Sequence, residues 1–136
     1  MVTAAAEIFY TLYQNNNALS SVLTGGLWYV QAPQTVILPY AVYRIEESEP
    51  QEICGAAGSR IERSEIVLTF YTNKEDGGSV LASLISAADT VFHWTALNST
   101  ISNKHVLSCR RTFAGEMNVE DDLMIVIMRF EIKIAY

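Results

Sequence analysis

Apolar and polar residues alternate with a period of two in several segments of this chain, which is the pattern of β-strands. The longest such segment is the last, where every even position from 124 to 134 is apolar. Another apolar run resumes at Tyr40 directly after Pro39, and proline, which lacks an amide hydrogen, fits the start or the edge of a strand. The pattern predicts about five strands. They are residues 27–30, 40–45, 60–71, 105–113 and 123–134.

Apolar spacings of three and four residues predict two helices. The first covers residues 4–14 behind Thr3 as its cap, and a short turn capped by Asn17 continues it. The second covers residues 79–92, with Ser79 as its cap and the clearest apolar stripe in the sequence. Both helices are expected to pack on the sheet as a second layer.

The segments between these elements are expected to be loops. Residues 46–59 combine several acids with glycines, and residues 94–103 and 114–122 show no clear periodicity. Both alternating sets of residues 40–45 are largely apolar, so this strand is expected to lie inside the sheet with both faces covered.

The connections between the predicted strands indicate the fold class. Strands joined by loops mostly pair antiparallel, and only the crossover from Tyr71 through the second helix to His105 could give a parallel pair. The predicted class is α+β, with a mostly antiparallel sheet of about five strands packed with two helices. We expect a single two-layer domain over residues 1–136, a length that buries a core without metal or disulfide.

Composition and charge narrow the function. Half of the residues are hydrophobic and 18% are charged, an apolar balance that often ends in a subunit interface. The net charge of −6 disfavours general binding to nucleic acid or to anionic membranes. No apolar run reaches the ~20 residues of a membrane helix, and no signal peptide is expected. Cys54 and Cys109 are expected to be reduced thiols of a cytosolic protein, with a single disulfide as the alternative.

The sequence contains no clear pattern of catalytic or metal-binding residues. His93 and His105 lack the spacing of a zinc site, and Cys109 lies four strand residues from His105, too far for a thiolate-imidazole pair. The acids at 46–52 and 116–122 lack the alternation of a Ca²⁺ or Mg²⁺ loop and are expected to be solvated. The prediction is that the protein is not an enzyme and uses no cofactor or metal.

Two groups of side chains leave other functions open. Arg110 and Arg111 should face opposite sides of a strand, and one of them is expected to pair with acids on a neighbouring strand or subunit. Tyr40, Tyr43 and Trp94 could line a small-molecule pocket. A small ligand-binding or enzymatic domain with that aromatic pocket therefore remains an alternative, as does a cellular protein-interaction module.

The order of elements and the local sequence around the two prolines resemble a known family. The segments that carry it include Leu27-Trp28-Tyr29, Ala32-Pro33 and Leu38-Pro39-Tyr40-Ala41-Val42-Tyr43, and its sharpest part is the Ala-Pro pair followed by Pro-Tyr. Together with the strand at 60–71, the helix at 79–92 and the final apolar strand, these segments resemble the tail completion proteins of tailed phages and gene transfer agents. These proteins are also called tail terminators or head-tail joining proteins.

The resemblance implies a structural virion protein that joins copies of itself into a ring, expected to be hexameric, at the head-proximal end of the tail. Its implied partners are the tail tube protein and the head-tail connector or stopper protein. DNA would pass through the ring without specific binding, which the negative net charge favours. The implied location is the virion, after assembly in the host cytoplasm, without any membrane.

A ring of this kind needs subunit contacts, and two places in the sequence are candidates. One is the end of the strand at 40–45, where the apolar run passes into the acidic segment. The other is the arginine doublet. The candidate subunit-interface residues are Arg44, Glu46, Glu47, Glu49, Arg110 and Arg111.

Overall fold

The computed structural model describes residues 2–52, 60–94, 98–101, 103–120 and 122–135. Within these ranges a six-stranded sheet packs with three α-helices, which agrees with the α+β class but exceeds the predicted five strands and two helices. The elements are α1 (Val2–Asn15), α2 (Asn17–Ser20), β1 (Leu27–Tyr29), β2 (Tyr40–Glu52), β3 (Arg60–Asn73), a 3₁₀ turn (Lys74–Asp76), α3 (Gly77–Phe92), β4 (Ser99–Ile101), β5 (Lys104–Glu120) and β6 (Leu123–Ala135).

The sheet has the strand order β1-β2-β3-β6-β5-β4, and its neighbours are antiparallel except for β1 and β2. A parallel pair was predicted for β3 and β5, the strands before and after α3. This location was wrong, because β6 lies between β3 and β5 in the sheet. The parallel pair is instead β1 with β2, because the loop 30–39 returns the chain to the end of the sheet where β1 starts. Val30 begins this reversal in the left-handed region (φ 68°), and its N–H donates to the Tyr43 carbonyl at 2.9 Å.

β2 is longer than its apolar pattern predicts. It continues to Glu52 through the segment predicted as an acidic loop, of which residues 53–59 lie outside the described residues. The extension pairs with β3 residue by residue. Two of its pairs have opposite charges, Glu49 with Arg63 and Glu52 with Arg60, and one has like charges, Glu47 with Glu65. Cross-strand pairing therefore extends the strand where no buried face marks it in the sequence.

β5 is also longer than predicted, continuing to Glu120 through residues expected to form a turn. Register shifts after Arg111 and after Ala114 interrupt its alternation, and Gly115 in the second has φ 108°. Each bulge exchanges the faces of the following residues, so the period of two is lost in the sequence. β4 likewise lies within a segment predicted as a loop.

The helices pack on one face of the sheet, which carries the hydrophobic core. The predicted apolar face of β6 is confirmed, since its even positions from 126 to 134 are buried under the helices. At the centre of the core the Phe9 ring stacks on Phe92, with centroids 3.9 Å apart, and lies 5.7 Å from Phe130. The opposite face, called the open face below, has no helix over it in the described part of the chain.

β2 is covered by helices on one face only, which corrects the prediction that both faces are covered. Ala41 and Tyr43 are buried beneath the helices, whereas Arg44 is exposed on the open face. The loop 30–36 lies beside the half-buried Tyr40 and Val42 on the open face.

All three helices begin slightly earlier than predicted, and α1 starts at Val2 instead of Ala4. The cap of α2 is Asn16 rather than Asn17, and its side chain accepts a hydrogen bond from the Ala18 N–H at 3.0 Å. α3 begins at Gly77 instead of Ser79. None of the helices in the described ranges has the length and apolar character needed to cross a membrane.

Candidate subunit-interface residues

The candidate residues of β2 lie where this strand passes beyond the helix layer. Arg44 is exposed, and Glu46 forms an ion pair with Arg129 of β6. The Arg129 guanidinium also lies 3.7 Å from the Glu65 carboxylate. The backbone of Glu47 pairs with Glu65, whereas the side chains of residues 47–52 lie outside the described part of the structure. A role of Glu46, Glu47 and Glu49 between subunits therefore stays a prediction.

Arg110 and Arg111 face opposite sides of the sheet, as predicted. Arg110 Nε lies 3.2 Å from Glu131 Oε1 on the open face, which confirms the expected pairing with a neighbouring strand. Arg111 Nη1 lies 2.6 Å from Asp89 Oδ2 on α3, and the Arg111 N–H donates to His93 Nδ1 at 2.8 Å. Arg111 therefore ties the end of α3 to the sheet. A contact of either arginine with another subunit stays a prediction.

Glu131 is the most buried carboxylate among the described side chains, and sequence reasoning did not select it. It is 6% exposed. Its oxygens lie 3.3 Å from Arg63 Nη1, 3.2 Å from Arg110 Nε and 3.9 Å from Lys133 Nζ. The sequence signal that could have found it is a lone glutamate between Phe130 and Ile132, because a buried carboxylate requires cationic partners.

Several charged side chains lie on the open face. Those that the structure describes there on β2, β3, β5 and β6 include five cations and three carboxylates. Eight of the 15 acids of the sequence lie at 46–52 and 116–122, and of these eight Glu46 alone has a described side chain on this face. The cations are Arg44, Arg63, Arg110, Arg129 and Lys133, and the carboxylates are Glu46, Glu65 and Glu131.

The three aromatic residues expected to line one pocket are separated in the structure. Tyr40 stacks on Tyr71 (centroids 4.8 Å apart) and lines a cavity of about 390 Å³ beneath the loop 30–36 on the open face. Tyr43 points to the helix side, where it lines a groove of about 380 Å³. Trp94 borders neither space. The residues lining the groove are Ala6, Glu7, Tyr10, Thr11, Tyr29 and Tyr43.

Tyr43 gives the fold a predictable response to alkaline pH. Burial, with smaller contributions from Tyr10 and Tyr29, raises the pKa of Tyr43 from 10.0 to about 12. The folded chain therefore holds this proton more tightly than the unfolded chain does. The resulting stability is fully present below pH 10 and is lost as pH rises from about 10 to 12.

Denaturant unfolding across this pH range measures the effect. We expect the free energy of unfolding to fall with pH less steeply in Tyr43→Phe than in the wild type. Burial also raises the pKa of Tyr13 and Tyr40, so part of the slope should persist. Tyr71→Phe is the matched control, because Tyr71 is not among the groups that raise the pKa of Tyr43. Equal slopes for Tyr43→Phe and the wild type would contradict the prediction.

The described side chains include no candidate metal site, and the described cysteine is buried. No group of three or more His, Cys, Asp or Glu within the described ranges is placed to hold a metal ion. The Cys109 thiol is fully buried, and burial raises its pKa, which keeps it protonated and unreactive. Cys109 is free, as expected, and Cys54 lies outside the described residues.

Comparison with known proteins gives matches through structure only. No protein-family profile and no curated protein matches the sequence. The fold matches a chain in a solved structure of the virion of a native gene transfer agent particle. That match has a TM-score of 0.71 and 12% identity, and it covers 97% of each chain. A second solved structure, whose name states no function, gives a TM-score of 0.67 and 14% identity, covering 96% of this chain and 92% of the other.

At such identities the likeness establishes the fold alone. It extends over nearly the whole length of both chains, so the match concerns the complete arrangement of sheet and helices rather than one motif.

Proposed function

We propose that this chain is a structural virion protein of a tailed phage or a phage-like particle. In this proposal, copies form a ring, expected to be hexameric, that caps the tail tube and joins it to the head connector. The observation that carries it is the match over 97% of both chains to a chain in a gene transfer agent virion. The sequence resemblance to tail completion proteins independently points to the same kind of particle.

The proposal assigns partners and a location. The partners are other copies of the chain, the tail tube protein and the head-tail connector or stopper protein, with DNA passing through without specific binding. The location is the head-proximal end of the tail in the virion. A buried, protonated thiol and ion-paired arginines suit an assembly protein better than a catalyst. No cofactor, metal or membrane enters this function.

A ligand-binding domain is the second candidate, and the two spaces of about 390 and 380 Å³ favour it. Such a protein would be a stable monomer or dimer, and a bound metabolite would raise its melting temperature. A cellular interaction module would form a defined dimer and would not bind tail tubes.

Electron microscopy of purified tail tubes, with and without the protein, tests the proposal. The tubes come from the particle whose capsid and tail genes are expected beside the gene for this chain. We expect added density at one end of each tube and rotational symmetry in end-on views. Tubes that stay bare, or protein distributed along their length, would contradict the proposed role.

A further inference from the structure

Both edges of the sheet are only partly covered. β1 pairs with residues 41–43 of β2, so in the described chain β2 has no neighbour on that side from residue 44 to residue 52. At the other edge, β4 and the turns after α3 contact β5 only as far as Arg111. Residues 112–120 of β5 are thus also paired on one side only within the described ranges. Strand edges this long are templates for another chain.

Each short edge strand lies at the level of the uncovered segment on the opposite edge of the sheet. The registers place Tyr43, Leu68, Met128 and Ala114 at one level of the sheet, so β1 is level with the uncovered part of β5. By the same registers β4 is level with residues 50–52, in the uncovered part of β2. The short strand at each edge therefore matches the gap at the opposite edge.

We propose that neighbouring copies join edge to edge. In this contact, β1 of the first copy lies beside residues 112–120 of the second copy. In return, β4 of the second copy lies beside residues 44–52 of the first copy. The contact rests on the proposed ring and names its subunit interface. The β1 edge denotes β1 with residues 44–52, and the β4 edge denotes β4 with Trp94 and residues 104–120.

Charge favours the pairing of unlike edges. The β1 edge carries four glutamates and one arginine within residues 44–52. At the same level, residues 104–113 of the β4 edge carry Lys104, Arg110 and Arg111 and no acid. Two β1 edges brought together would oppose acids to acids. The charges therefore disfavour a two-fold contact between β1 edges and favour a head-to-tail contact, the kind of contact from which rings are built.

Apolar residues are exposed on both edges. Tyr29 and Val30 at the β1 edge are 45% and 60% exposed, and Trp94 and Phe113 at the β4 edge are 50% and 42% exposed. Exposed aromatic residues of this kind are typical anchors in the centre of protein interfaces. In the proposed contact, Tyr29 and Val30 of one copy and Trp94 and Phe113 of the next copy would be removed from water together.

Two variants that each block one edge test the inference. Val30→Arg places a cation on the β1 edge against the cationic β4 edge, and Phe113→Glu places an acid on the β4 edge against the acidic β1 edge. Each variant alone should lose the ring mass and run as a monomer in sedimentation and native mass spectrometry. Their equimolar mixture should regain rings, because one joint between the two variants is intact and the other opposes the introduced cation to the introduced acid at one level of the sheet.

Val22→Arg is the matched control, since Val22 is 39% exposed just after α2 and belongs to neither of the two edges defined above. This variant should assemble like the wild type. Circular dichroism checks that the variants fold, and Tyr29→Arg and Trp94→Glu replace any that do not.

The outcomes separate this inference from the proposed function. Rings that persist in both blocking variants, in solution or on tail tubes, overturn the edge contact and leave the virion role standing. A mixture that stays monomeric also overturns it, because the intact edges of the two variants should then pair. A wild-type chain that neither self-associates nor binds tube ends overturns both proposals.

Discussion

Replacing Phe9 with alanine is expected to lower the free energy of unfolding by about 4 kcal/mol, a large fraction of the ~5–15 kcal/mol of a typical domain. The Phe9 side chain is fully buried. Its ring lies between α1, α3 and the sheet, 3.9 Å from Phe92, 5.2 Å from Tyr43 and 5.7 Å from Phe130. Truncation would leave a cavity that these three rings, attached to three different elements, cannot close without moving the helices.

Equilibrium denaturation with urea, followed by circular dichroism, measures this loss. Phe113→Ala is the matched control, because it removes the same atoms from a side chain that is 42% exposed. Its cost should stay below about 1 kcal/mol. A similar loss for both variants would contradict the central role of Phe9 in the core.

Glu131→Gln is expected to cost about 2 kcal/mol of stability. Glu131 is 6% exposed, and Arg63, Arg110 and Lys133 all lie within 4 Å of its carboxylate. Removing one partner of a buried ion pair costs roughly 3–5 kcal/mol. The lower figure allows for water around Arg110, whose side chain is 41% exposed and can be solvated when its partner is lost.

Glu65→Gln is the control for this variant. Glu65 is half-buried, and Arg129, 3.7 Å away, keeps Glu46 as a second partner, so the cost should remain under about 1 kcal/mol. Thermal unfolding at low and high salt distinguishes the two sites, since salt screens exposed pairs far more than buried ones. A cost of Glu131→Gln that disappears in high salt would show that its network behaves as surface charge.

The Phe9 cluster and the Glu131 network stabilise the central strands, which lie between the two edges on which assembly would depend. The Phe9 cluster fixes α1 and α3 on the helix side of the sheet, and Glu131 connects β3, β5 and β6 on the open side. Both faces of the central strands are thereby constrained. The edge strands, which lack such contacts, are the part of the sheet left to pair with another copy.

The sequence by itself determined the elements whose signal is local. The apolar even positions of β6, the stripe of α3 and the opposite directions of Arg110 and Arg111 follow from one repeating geometry in consecutive residues. The family resemblance rested on equally local segments. The candidate interface residues at 44–49 were chosen from the same kind of signal and stay a prediction.

Only the tertiary structure decided the rest, because it depends on residues far apart in the chain. β2 and β5 extend beyond their apolar segments through backbone pairing with β3 and β6, and bulges erase the alternation that would have marked β5. The parallel pairing of β1 with β2 depends on how a proline-containing loop returns. The burial of Glu131 requires cations from β3, β5 and β6, and hydrogen bonding between these strands brings the cations together. The hydrophobic periodicity of the sequence does not predict this arrangement.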